Sequence, residues 1–135
     1  MSLVADCSVA LSWYLPDEQN EASAILLAYA IDVGAHVPFV FKLEFSNGMT
    51  FAMRRGRIAA QFRANAFAAL DDLQLFVDAK GQDLVWTHYV ELADRHRLTL
   101  YDASYLELAI RLGLPLATFD KALAAAAGRE NLRLV

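Results

Sequence analysis

Apolar residues fall into two patterns along the chain: short unbroken runs, and longer stretches in which they return every three or four positions. The runs are Leu3-Val4-Ala5, His36-Val37-Pro38-Phe39-Val40, Leu75-Phe76-Val77, Leu114-Pro115-Leu116-Ala117-Thr118 and Leu132-Arg133-Leu134-Val135. Each predicts a short strand, with Pro38 marking the end of the second. The stretches between them predict helices. Val9 to Leu15 is capped by Ser8 and stopped by Pro16; Glu21 to Ala35 carries Ala22, Ile25, Leu26 and Tyr29 on one face, with Gly34 near its end. Phe41 to Arg55 and Ile58 to Leu73 follow as two arms of a helical hairpin. After a polar loop from Asp78 to Asp83, Leu84 to Arg97, Thr99 to Gly113 and an alanine-rich segment from Phe119-Asp120-Lys121 to Gly128 complete the set. Strands alternating with helices call for a parallel sheet covered on both faces.

Length and composition narrow this picture. The 135 residues fit one domain, spanning 1–135. With 57% hydrophobic residues against 21% charged, whole-chain disorder is excluded, and a large core or an apolar surface reserved for a partner is expected. Twelve Lys plus Arg against sixteen Asp plus Glu leave a net charge of −4, so no global basic field attracts nucleic acid. That excludes a simple DNA-coating protein. An enzyme acting on RNA stays open, because four acids neutralised at one metal site would leave the charges balanced. Cys7 has no second cysteine to pair with and is expected as a small buried hydrophobe in a reducing cytoplasm. The start lacks a basic signal-peptide region, and apolar segments such as Ala22 to Ile31 are too short to cross a membrane, so a soluble protein is expected.

Several polar residues have plain structural readings. Arg54, Arg55 and Arg57 form the basic cluster at a helix end, where cations complement the dipole. His88 and His96 share a helix but stand eight residues apart, without the spacing or cysteines of a zinc site, and His36 is isolated. Thr99-x-x-Asp102 is a capping-box pattern, and Asp6 and Asp120 each stand where a helix N-cap belongs.

Position adds a second reading for the acids. In a parallel sheet with right-handed crossovers, all strand C-termini lie along one edge, where ligands bind at the reversal of strand order. Asp6 and Asp120 follow strands directly, Glu44 lies one turn into the helix after the second strand, and Asp102 opens the helix leading to the fourth. Four acids in one crevice repel unless a cation joins them. An all-oxygen donor set selects Mg²⁺ or Mn²⁺, which activates water for phosphodiester hydrolysis. Ser8 and Thr118, each beside an acid, are candidate hydrogen-bonding groups for a metal water or a scissile phosphate.

These residues carry a family resemblance. Val4-Ala-Asp-Cys-Ser-Val-Ala-Leu-Ser-Trp-Tyr-Leu-Pro-Asp-Glu18, Leu43-Glu-Phe-Ser-Asn47, Leu100-Tyr-Asp-Ala-Ser-Tyr-Leu-Glu-Leu-Ala109 and Leu114-Pro-Leu-Ala-Thr-Phe-Asp-Lys-Ala-Leu123 occur in the order found in PIN-domain ribonucleases. The chain most resembles the VapC-like toxins of type II toxin–antitoxin pairs. The resemblance implies a three-layer α/β/α fold with a four- or five-stranded parallel sheet, and an Mg²⁺- or Mn²⁺-dependent endoribonuclease. It places Asp6, Glu44, Asp102 and Asp120 on the family's metal-binding acidic positions, and Ser8 and Thr118 on its small hydroxyl positions. Cys7 stands where the family more often has Ala, Ser or Thr. A tRNA or rRNA substrate, a cognate antitoxin and a homodimer are implied as partners. Trp13, Tyr14, Phe41, Phe45, Met49, Phe51, Met53, Phe62 and Phe67 exceed what the sheet needs for cover, so some are expected to line a groove for a partner helix. Two other readings fit less well. A phosphoacceptor receiver domain wants paired acids after the first strand and a lysine after the last, whereas Asp6 stands alone and Lys121 adjoins Asp120. A PIN-like domain that only binds RNA or protein would not need all four acids.

Overall fold

The computed structural model describes Ser2 to Val135. Four strands, β1 (Leu3–Ala5), β2 (Ala35–Pro38), β3 (Leu75–Asp78) and β4 (Leu116–Ala117), form one sheet in the order β3-β2-β1-β4, all parallel. Seven α-helices accompany them: α1 (Cys7–Tyr14), α2 (Glu21–Val33), α3 (Phe41–Arg54), α4 (Ala60–Asp72), α5 (Val90–His96), α6 (Leu100–Leu112) and α7 (Lys121–Arg129). The architecture is three-layer α/β/α, with four strands. β1 is central, between β2 and β4, and it is completely buried, which is why Leu3 to Ala5 reads as an unbroken apolar run. Strand order reverses between β1 and β4, so Asp6 and Thr118 leave the sheet side by side.

The expected boundaries shift for local reasons. Helix α1 begins at Cys7 and is capped by Asp6, whose side chain accepts from the Val9 N–H; Ser8 lies inside the first turn. The expectation that Ser8 caps this helix is therefore corrected. Both residues are good cap formers, and the extended backbone of Asp6 (φ −83°, ψ 171°) decides between them. Helix α2 starts on a capping box between Asn20 and Ser23 and ends at Val33, because Gly34 takes φ +78° and turns the chain straight into β2. Pairing accordingly starts at Ala35, whose N–H reaches the Gln74 carbonyl at 3.0 Å, and finishes at Pro38 as expected.

Two further segments differ from expectation. The polar stretch after β3 is a 3₁₀ turn (Lys80–Leu84), and the helix expected from Leu84 begins as a π turn (Val85–Tyr89) before α5. The C-terminal run Leu132 to Val135 contributes only a parallel bridge between Leu116 and Leu134. β4 offers two residues of pairing, since Leu114 is still bonded back to Ala109 and Pro115 has no N–H to donate.

The buried side chains form one apolar cluster. Phe41, Phe45 and Met49 of α3, Val9 and Trp13 of α1, and Tyr105, Leu106 and Leu108 of α6 pack against it with the strands. Trp13, Phe41, Phe45 and Met49 are thus core, while Phe51, Phe62 and Phe67 remain partly exposed on the α3–α4 hairpin. Among the described residues, no helix is long and apolar enough to cross a membrane.

Candidate active site

Asp6 is the anchor. It is 4% exposed at the end of the central strand, and its Oδ1 accepts from the Val9 N–H at 3.0 Å and the Ser8 hydroxyl at 2.6 Å. Its Oδ2 accepts from the Thr118 hydroxyl. The two hydroxyls are themselves oriented by the backbone of the loop between β4 and α7. The Phe119 N–H donates to Ser8 Oγ at 3.0 Å, and the Asp120 N–H donates to Thr118 Oγ1 at 2.9 Å. Each oxygen of Asp6 thus terminates a two-step relay that begins on a peptide N–H. A hydroxyl has a single proton to give, and both protons are spent on Asp6. Ser8 and Thr118 therefore hold the carboxylate; as oriented here, they have no proton for a phosphate or a metal water.

The other three acids come from helix starts. Glu44 is in the first turn of α3, its Oε1 accepting from the Tyr105 hydroxyl at 2.8 Å. Asp102 is in the first turn of α6, with its N–H bonded to Thr99 Oγ1 at 3.1 Å, so the threonine half of the expected capping pattern is present. Asp120 caps α7 by accepting from the Leu123 N–H at 2.9 Å. Asp6 and Asp120 thus cap helices and also stand at the same edge of the sheet, past the ends of β1 and β4.

The acids sense one another. Burial holds Asp6 above its ordinary 3.8, against the hydrogen bonds from Ser8, Thr118 and Val9, and the charge of Asp102 adds to the rise. Glu44 is raised from 4.5 by burial, opposed by Tyr105 and reinforced by Asp102 and Asp6. Asp102 is raised by burial and then by Asp120. The four carboxylates therefore stand within electrostatic reach as one cluster. They do not form a closed shell: among the described residues, no group of three or more His, Cys, Asp or Glu side chains is placed to hold an ion. The donor set is nonetheless all oxygen and short of positive charge, which suits a hard divalent cation. Cys7, partly buried at the start of α1, has its thiol pushed up by burial and by the charges of Glu44, Asp6 and Glu18, which disfavours the reactive thiolate.

Beside Glu44 lies a groove of about 730 Å³ lined by Val40, Leu43, Asn47, Phe51 and Tyr101 among others. Of the basic cluster, Arg57 is engaged with Asp17 and Glu18 at 2.5 and 2.8 Å, while Arg54 and Arg55 are exposed at the end of α3. The histidines are dispersed as expected. His36 packs on Phe76 at 4.7 Å, His88 contacts Thr87, and buried His96 accepts from Arg129.

Two features escaped the sequence reading. One is Tyr105, the hydrogen-bond partner of Glu44. The other is a network in which Arg111 spans Asp78 and buried Glu107 at 2.7 and 2.8 Å, tying α6 to the end of β3. The only signal for either was a polar group at a core-facing position of α6, which names no partner.

The chain belongs to the PIN-domain family, whose sequence model matches residues 3–129. Among its relatives, Ribonuclease VapC3 of Pyrobaculum aerophilum is 28% identical over 124 residues, covering 92% of this chain and 93% of the relative. Ribonuclease VapC1 of Mycobacterium tuberculosis is 33% identical over 113 residues, 79% of each chain. A crystal structure of a Pyrobaculum aerophilum protein superposes with a TM-score of 0.63 over 93% of this chain and 84% of the other, at 21% identity, which shows a shared fold.

Proposed function

We propose that this chain is an endoribonuclease dependent on Mg²⁺ or Mn²⁺ and the toxin of a toxin–antitoxin pair. The observation that carries this reading is the cluster of Asp6, Glu44, Asp102 and Asp120 at the reversal of strand order, with burial and mutual repulsion raising the first three. The ribonuclease names of the relatives supply the substrate class.

Asp6, Glu44, Asp102 and Asp120 would hold the ion, which when bound supplies charge neutralisation and Lewis acidity at the phosphodiester. The chain's own contribution is orientation. Ser8 and Thr118 clamp the two oxygens of Asp6, and Asp120 is fixed by its capping bond to Leu123. Leu43, Phe51 and Tyr101 are 77%, 48% and 58% exposed beside the acids, an apolar surface suited to a partner segment such as an antitoxin. A tRNA or rRNA substrate and a homodimeric state complete the proposal.

The test is cleavage of total tRNA and rRNA by purified, antitoxin-free protein. Cutting in Mn²⁺ that stops with EDTA and with Asp102→Asn supports the reading. Uncut RNA in Mn²⁺, with equal RNA binding by wild type and Asp102→Asn, removes the enzyme and leaves a binding domain. Growth arrest on expression, relieved by a neighbouring small open reading frame, tests the toxin assignment separately.

A further inference from the structure

We propose that Tyr105 is the positioning residue for Glu44, fixing where that carboxylate meets the metal. The inference rests on the metal reading above. Tyr105 lies three residues after Asp102, so the two share one face of α6. The same helix thereby delivers one acid of the cluster and the donor that holds another, on α3.

Glu44 needs such a hold. Its side chain is long, it borders the open groove formed with Leu43, Asn47 and Tyr101, and it faces the like charges of Asp6 and Asp102. Left alone, it would lower its energy by turning into the groove. Tyr105 prevents this because it has no freedom of its own: the residue is 1% exposed, and its hydroxyl stands 2.8 Å from Glu44 Oε1. A rigid donor on one oxygen selects a rotamer and leaves the other oxygen for an ion. Tyrosine suits this task because its ring is anchored by packing while its hydroxyl reaches out of the core. Outer partners of this kind set metal affinity in other sites, where their loss costs about 10- to 100-fold.

Tyr105→Phe keeps the buried ring and removes only the hydroxyl. Mn²⁺ affinity is measured by calorimetric titration and by electron paramagnetic resonance, alongside thermal melting, for wild type, Tyr105→Phe, Glu44→Gln and the double variant. The expected result is weaker Mn²⁺ binding in Tyr105→Phe by about tenfold or more, and no further weakening when Tyr105→Phe is added to Glu44→Gln, since the tyrosine acts through the glutamate. Equal Mn²⁺ affinity in wild type and Tyr105→Phe, or additive losses, overturns the inference alone. Absence of Mn²⁺ binding by wild type overturns the metal reading and the inference with it. Should Tyr105→Phe fail to fold, 3-fluorotyrosine at position 105 takes its place. Its fluorine resonance is expected to shift with Mg²⁺ in wild type and to stay still in Glu44→Gln; a resonance indifferent to Mg²⁺ in both overturns the inference.

Discussion

Thr118, just past the end of β4, donates its hydroxyl to Oδ2 of Asp6, just past the end of β1, across 112 positions of sequence. The same hydroxyl oxygen accepts from the Asp120 N–H, so one side chain links the carboxylate of one acid to the backbone of another. Thr118→Val removes both bonds at nearly constant volume. A loss of about 1–3 kcal/mol is expected from the lost bond to the buried Asp6 carboxylate, together with a fall in RNA cleavage of about 10- to 100-fold. Thr118→Ser keeps the oxygen and should retain most of both. Denaturant midpoints and initial rates decide, and a fully active valine variant would contradict the clamp.

Removing metal should make stability depend on pH in a definite direction. Burial above all, with repulsion added, raises Asp6, Glu44 and Asp102 above 3.8, 4.5 and 3.8. An acid that holds its proton longer folded than unfolded stabilises the fold most at low pH, and that contribution is lost as pH rises past its unfolded value towards its folded one. In EDTA, this contribution should decline from the ordinary carboxylate range towards neutrality, and Mn²⁺ should restore stability at neutral pH. Asp78 works oppositely, since Arg111 holds it below 3.8, and its contribution is lost only in stronger acid. Melting curves of wild type and Glu44→Gln across this range test the point; identical pH profiles would remove Glu44 from the cluster.

Arg111→Ala should destabilise the fold without touching the site. It leaves Glu107, 5% exposed, as a buried charge without its partner, and frees Asp78. A cost of about 3 kcal/mol is expected, partly recovered by adding Glu107→Gln. Cleavage per folded molecule should stay at the wild-type value.

Gly81 is held by contact rather than by backbone angle. A Cβ there would stand 2.1 Å from the Tyr89 hydroxyl, whose ring is 2% exposed and has nowhere to go. Gly81→Ala should therefore cost about 1–3 kcal/mol, measurable by urea unfolding, whereas alanine at Gly128, with open space around its Cα, should not destabilise.

The layers and the sheet were legible because each strand is an apolar run and each helix has its own stop, such as Pro16, Gly34 and Gly113. Asp6 and Asp120 could be placed at one edge because each follows a strand closely, and the parallel connection rule does the rest. What sequence could not supply were pairings between distant elements. Tyr105 and Glu44 are 61 positions apart, and nothing in either helix names the other. The cap of α1 fell to Asp6 rather than Ser8 for a local reason, since two good cap formers two positions apart leave the choice to the backbone. The fifth strand failed because the pattern at Leu132 to Leu134 says nothing about how little of β4 is free to pair.

The reversal of strand order between β1 and β4 also sets when the site can exist. Asp6 precedes Thr118 by 112 positions, so the Thr118 half of its clamp and its partner acid Asp120 are synthesised well after it. Until that late segment has emerged and inserted beside β1, the nascent chain carries an acid without the group that aims it.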